Sequence, residues 1–137
     1  MRLTKTLMTA DNNKEKGASL FLETDLRMHT EKLFADVKLN RKKLAVYMNT
    51  NEVYLAESIR EVTGKTFSEY LSDIRLKHAL RVTDECPDMN FDIIVSDSGY
   101  GSYTKFYRSF TKKYGISPME YRRLSAKNRA IAIDKLM

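Results

Sequence analysis

The side chains best suited to chemistry lie in one short stretch, Tyr103-Thr104-Lys105-Phe106-Tyr107-Arg108. An arginine can donate two parallel hydrogen bonds to guanine, and hydroxyls and rings can meet base edges in a DNA groove. Phe106, Phe110 and Tyr114 recur at helical spacing and should share one inward face. Tyr103, Thr104, Tyr107 and Arg108 fall off that stripe and point outward. Large aromatics and an arginine on an outward face are poor for solubility and good for touching bases and phosphates. Ser102 can cap this helix, and Gly115 can end it. Upstream, an apolar helix over 91–98 stops at Gly99. The pair reads as a helix-turn-helix, one helix bracing and the next entering a DNA groove. Lys105, Lys112 and Lys113 are candidates for contacts to the DNA backbone.

The elements that position these residues can be read from caps and breakers. Helical spacing runs from about Leu20 to Val37, with Leu22, Leu26, Leu33, Phe34 and Val37 as its apolar residues. A helix over 41–48 turns Leu44, Ala45 and Met48 inward. Asn51 caps a helix over 52–63, which carries a core stripe of Leu55, Ile59 and Val62 and stops at Gly64. Thr66 and Glu69 form a capping box at the head of the longest helix, 67–85, which Pro87 ends. Tyr70, Leu71, Ile74, Ala79 and Val82 form its buried side, and His78 is read as a surface residue. Ser117-Pro118-Met119-Glu120 is a second capping box, with proline at the favoured first position of a last helix. No stretch reads as a strand, so the fold class is all-α. A short helix, a turn and a longer helix ending at glycine occur twice, at 41–64 and at 91–115.

The net charge of +6 is unevenly placed. Residues 31–89 carry ten basic and ten acidic side chains, whereas residues 90–137 carry nine basic and four acidic. Phosphate affinity grows with the number of phosphates neutralised, so the last third should be the electrostatic grip. Cys86 is the single cysteine, which excludes an internal disulfide and a multi-cysteine zinc site. His29 and His78 lack ligand-type neighbours. No metal, no cofactor and no enzymatic activity are expected, because no glycine-rich phosphate loop, paired histidines or nucleophile motif is present. No apolar run reaches the length of a membrane span, and the N-terminus has no apolar secretion signal. A cytoplasmic, nucleoid-associated protein is expected.

This arrangement resembles the DNA-binding domain of the AraC/XylS family of bacterial transcription regulators over roughly residues 39–123. Leu44-Ala45, Leu55 and Gly64 carry the likeness in the first unit, and Phe67-Ser68-Glu69-Tyr70-Leu71, Ile74-Arg75-Leu76 and Ala79 carry it in the linking helix. In the second unit it rests on Gly99-Tyr100-Gly101-Ser102, Phe106, Phe110, Lys112-Lys113, Gly115 and Ser117-Pro118-Met119-Glu120-Tyr121-Arg122. The resemblance implies two recognition helices in successive major grooves of double-stranded DNA, about 34 Å apart. The first would present Asn51, Glu52, Val53, Ala56, Glu57 and Arg60, with Lys42 and Lys43 on its brace as backbone contacts. Glutamates there repel phosphate, although a glutamate can accept from cytosine N4. Arg75 could touch phosphate or make a structural ion pair joining the two heads.

The expected organisation is a flexible tail or linker over 1–18, a first helix-turn-helix subdomain over 19–64, a linker helix over 65–86, a second subdomain over 87–124, and a tail over 125–137 that could be helical. Residues 1–38 are too short for the separate sensory or signalling domain that family members commonly carry. The chain is therefore either a stand-alone small regulator or the effector end of a longer protein. RNA polymerase is a possible partner. The alternative function is a helical protein-interaction module on the same fold, with weak or no DNA binding.

Overall fold

The computed structural model of the protein describes residues 2–124, 131, 133 and 134, with side chains described from residue 14 onward. Seven α-helices are found among the described residues, and no strand. They are α1 (Arg2–Thr30), α2 (Arg41–Tyr47), α3 (Glu52–Thr63), α4 (Phe67–Glu85), α5 (Phe91–Asp97), α6 (Tyr103–Tyr114) and α7 (Pro118–Arg123), with a 3-10 turn at Leu33–Ala35. The chain forms two compact units, Met1–Leu71 and Ser72–Met137, so the division falls inside α4. None of the helices, among the described residues, is long and apolar enough to cross a membrane.

The same local device builds both helix-turn-helix pairs. Asn40 and Asn90 cap the bracing helices, their side chains accepting from the backbone N–H of Lys43 and Asp92. Each brace is followed by one residue in the left-handed region, Asn49 at φ 53° and Gly99 at φ 89°. Asparagine and glycine are the residues that reach this region at least cost. Matching backbone bonds then close the turns: Thr50 N–H to the Ala45 carbonyl and Tyr100 N–H to the Val95 carbonyl, both at 3.0 Å. Asn51 and Ser102 cap the second helices, accepting from Tyr54 and Lys105 N–H. Gly64 and Gly115, both at φ 74°, end them.

In the first unit Leu44, Ala45, Leu55 and Ile59 are buried with Phe21, Met28 and Phe34 from the segment before them. Tyr70 joins them and donates to Asp25 at 2.6 Å. The inward face of α1 differs from the sequence reading. Leu22 and Leu26 are 66% and 62% exposed and Val37 is exposed, while Phe21, Thr24 and Met28 are buried. Thr24 can be buried because its hydroxyl donates to the Leu20 carbonyl at 2.7 Å. Val62 is exposed as well, and Ser58 takes the inward position by donating to the Leu55 carbonyl.

Helical conformation also runs through 2–18, where a flexible tail was expected. The polar run there holds no proline, and its one breaker, Gly17, lies where α1 passes α3. A Cβ at Gly17 would stand 3.2 Å from Glu61 Oε2, so glycine permits the close approach. The expected helix over 125–137 lies almost wholly outside the described residues; residues 131, 133 and 134 are helical.

The second unit packs Leu76 and Ala79 of α4 against Ile94, Val95, Tyr100, Phe106, Phe110, Tyr114 and Tyr121. Arg75 stands over the Tyr100 ring, 5.9 Å from its centroid. Tyr121 donates to the Asp84 carboxylate at 3.0 and 3.1 Å. His78 is buried, contrary to the surface position read from sequence. Its Nε2 lies 2.7 Å from Asp97 Oδ2, and Arg81 donates to its Nδ1 at 3.1 Å. An accepting Nδ1 leaves the proton on Nε2, which then donates to Asp97. Those polar partners make the burial tolerable.

The helix stop at Gly64 gives a direct test. No atom lies within 4 Å of a Cβ built there, so Gly64→Ala should lose only the left-handed preference. Urea denaturation should show a loss of about 1 kcal/mol, and Gly64→Asn should lose less. An unchanged Gly64→Ala midpoint would show that the stop does not depend on the left-handed residue.

Candidate nucleic-acid interface

The two faces of α6 separate as their spacing requires. Phe106, Phe110 and Tyr114 are at most 2% exposed. Tyr103 and Tyr107 are 37% and 42% exposed, and Thr104, Lys105, Arg108 and Lys112 are exposed beside them. Burial raises the Tyr114 phenol to about 12. Burial against neighbouring rings also raises that of Tyr103. Both side chains are therefore neutral at pH 7. Ser102 is exposed, but its hydroxyl accepts the Lys105 N–H at 3.2 Å, so it shapes the helix start.

Two of the candidate backbone lysines are held by carboxylates. Lys113 donates to Asp73 Oδ1 of α4 at 2.6 Å, and both side chains are largely covered. Lys43 is ion-paired with Asp36, and the hydrogen bond to that carboxylate raises the Lys43 pKa. Lys42, Lys105 and Lys112 remain exposed. Sequence reasoning had no means of separating these groups, because Asp73 and Lys113 meet only when α6 folds back on α4.

In the first unit α3 repeats the geometry of α6 with different chemistry. Aligned on their caps and glycine stops, Tyr54, Glu57 and Glu61 take the places of Lys105, Arg108 and Lys112. Val53 is 64% exposed, Glu57 and Arg60 are exposed, and Ala56 is half-buried. Asn51 is exposed, and its side chain accepts the Tyr54 N–H at 2.8 Å. Glu52 lies 3.4 Å from Arg41 of the brace. Glu57 and Glu61 also border a groove of about 430 Å³ lined by Lys16, Gly17, Leu20, Thr50, Tyr54 and Ser58. The sequence reading did not foresee that groove, because it arises where α1 passes α3.

The reading missed a second feature, a stack behind α6. The Arg122 guanidinium lies 3.8 Å above the centre of the Phe91 ring and donates to the Met89 carbonyl at 2.7 Å. Phe91 lies 6.0 Å from Tyr103 between ring centres, and Tyr103 lies 6.1 Å from Tyr107. Its only trace in sequence is the aromatic-rich composition of α6.

Comparison with known proteins agrees with this geometry. The family model described as a helix-turn-helix domain matches residues 44–124. The transcriptional regulatory protein YesN of Bacillus subtilis is 33% identical over 79 residues, 57% of this chain and 21% of that protein. The melibiose operon regulatory protein of Escherichia coli is 26% identical over 125 residues, 91% of this chain and 40% of that protein. The chain thus spans well under half the length of these curated relatives. Among solved structures, the C-terminal domain of AraT, a response regulator from Geobacillus stearothermophilus, superposes with a TM-score of 0.65 at 28% identity. That match covers 73% of this chain and 84% of that one. With two capped helix-turn-helix pairs and a family match over more than half its length, the chain belongs to the helix-turn-helix family of AraC-type DNA-binding transcription regulators.

Proposed function

We propose that this chain is the sequence-specific, double-stranded-DNA-binding end of a transcription regulator, with α6 as its principal reader. One observation carries the reading. The open face of α6 presents Tyr103, Thr104, Tyr107 and Arg108 between exposed Lys105 and Lys112, above a core that fixes the helix. In this reading Arg108 donates to guanine, and Lys105, Lys112 and Lys42 contact phosphates. Lys113 and Lys43, already paired, brace their helices. The α3 helix enters a neighbouring major groove with Val53, Ala56, Glu57 and Arg60 and contributes less affinity, because its glutamates face phosphate. Ser102 and Asn51 contribute as caps that aim the two readers. A sensory or signalling domain belongs to the same full-length protein, a reading the greater length of the relatives supports. The regulator acts in the cytoplasm on the nucleoid, and RNA polymerase is its downstream partner.

Arg108→Ala should cost about 1 to 3 kcal/mol on a duplex selected by the wild-type protein, and much less on random duplex, in fluorescence-anisotropy titrations. Equal losses on both would mean that Arg108 touches only phosphate. A wild-type protein with no salt-dependent retention on duplex DNA would favour the protein-interaction module instead.

The lysine pair separates bracing from phosphate contact. Lys112→Ala should lower the slope of log affinity against log salt by about one unit. Lys113→Ala should change that slope less and cost about 1 kcal/mol of stability, because it removes a largely covered ion pair that ties α6 to α4. The opposite pattern would make Lys113 the phosphate contact.

On the first head, Glu57→Gln and Glu57→Lys should raise affinity for random duplex by removing a repulsive charge. Loss of specific binding with the fold intact would instead make Glu57 a base reader, equal in rank to Arg108.

A further inference from the structure

We propose that Tyr103 and Tyr107 form a ring pair that reads the C5-methyl group of thymine, and that Phe91 and Arg122 hold the pair in place. The inference rests on α6 being the DNA-reading helix. Thymine's methyl is the one apolar group that the four bases display in the major groove. Its natural complement is a fixed apolar surface flanked by polar readers. At the N-terminal end of α6, two rings one helical turn apart provide such a surface, with Thr104 and Arg108 exposed beside them.

The rings are anchored from behind. Tyr103 touches Phe91, Phe106 and Tyr107, with ring centres 6.0 to 6.1 Å apart. Phe106 is 1% exposed, so that neighbour belongs to the core. Phe91 is half-buried, and the Arg122 guanidinium covers it. The hydrogen bond from Arg122 to the Met89 carbonyl ties the guanidinium to the loop before α5. Arg122 Nε is buried without a hydrogen-bond acceptor, which leaves the ring face as its compensation. A run of contacts therefore leads from α7 through α5 to the open face of α6. It restricts Tyr103 before DNA arrives, and a tyrosine has only two side-chain torsions to fix. Burial also raises the Tyr103 phenol above its ordinary value.

The first unit lacks this device. Glu52 and Ala56 occupy the places of Tyr103 and Tyr107 on α3. Methyl reading should therefore be confined to the half-site under α6. Arg122 is a positioning residue in this scheme, acting through Phe91.

The test removes methyl groups from the DNA. A duplex selected by the wild-type protein from a random pool is remade with deoxyuridine at each thymine in turn, which keeps base pairing and deletes one methyl. At one or two positions within a single half-site, wild-type affinity should fall about fourfold, the effect of burying one methylene-sized group. In Tyr103→Ala or Tyr107→Ala, the thymine-to-uracil ratio at those positions should fall to about one. Alanine is a strong helix former and both sites are open, so these variants should keep the fold. Arg122→Gln should reduce the same ratio while changing affinity for random duplex only as loss of one charge would. A ratio that persists in both tyrosine variants overturns the proposal. A wild-type protein indifferent to every deoxyuridine, or a selected half-site without thymine, overturns it too while leaving DNA binding by α6 intact. Failure to select any duplex overturns the DNA reading itself and this inference with it.

Discussion

The constraint on which each unit depends is a single left-handed residue after its bracing helix. With Asn49 and Gly99 in that region, the chain reverses within a few residues, and the backbone bonds to Ala45 and Val95 fix the turn. The angle between the brace and the helix that follows is then set by covalent geometry and local hydrogen bonds. Leu44 and Ala45 can meet Leu55 and Ile59, and Ile94 and Val95 can meet Phe106 and Phe110. Once those faces are buried, the helical period decides which side chains remain outside. The exposed faces of α3 and α6 are a consequence of the turn.

Two copies of one geometry carry opposite chemistry. Where α6 has Lys105, Arg108 and Lys112, α3 has Tyr54, Glu57 and Glu61. Each unit also holds a lysine paired with a carboxylate, Lys43 with Asp36 and Lys113 with Asp73. Such pairs add little when open to water, and breaking one costs more when it is partly covered, as Lys113 and Asp73 are. Their larger effect is on what remains for a partner. Counting basic side chains overstates the charge available to phosphate, and the exposed set on α6 is Lys105, Arg108 and Lys112.

The second unit is built around aromatic side chains. Phe110 packs edge-on against Tyr114 and Tyr121, with ring centres 4.9 and 5.8 Å apart. Tyrosine suits such a core where its hydroxyl reaches a partner, as Tyr121 reaches Asp84. Phe91 continues the aromatic packing outward to Tyr103, so the core runs without a break to the exposed face of α6.

What the sequence determined by itself is whatever acts within a few residues along the chain. The caps at Asn51, Ser102, Thr66 and Ser117 and the stops at Gly64 and Gly115 work through neighbouring backbone groups. The bounds of α3, α4 and α6 follow the reading for that reason. The outward face of α6 was legible because its apolar residues fall on a single stripe. Tertiary structure decided what depends on distant partners. Two apolar stripes compete on α1, and packing buried Phe21, Thr24 and Met28 while leaving Leu22 and Leu26 outside. His78 is buried because Asp97 reaches it, and Lys113 is occupied because Asp73 does. Arg122 meets Phe91 across two turns and the whole of α6, a separation that local pattern cannot span. Periodicity tells which residues share a face, but a face becomes core, brace or reading surface only through the neighbour it meets.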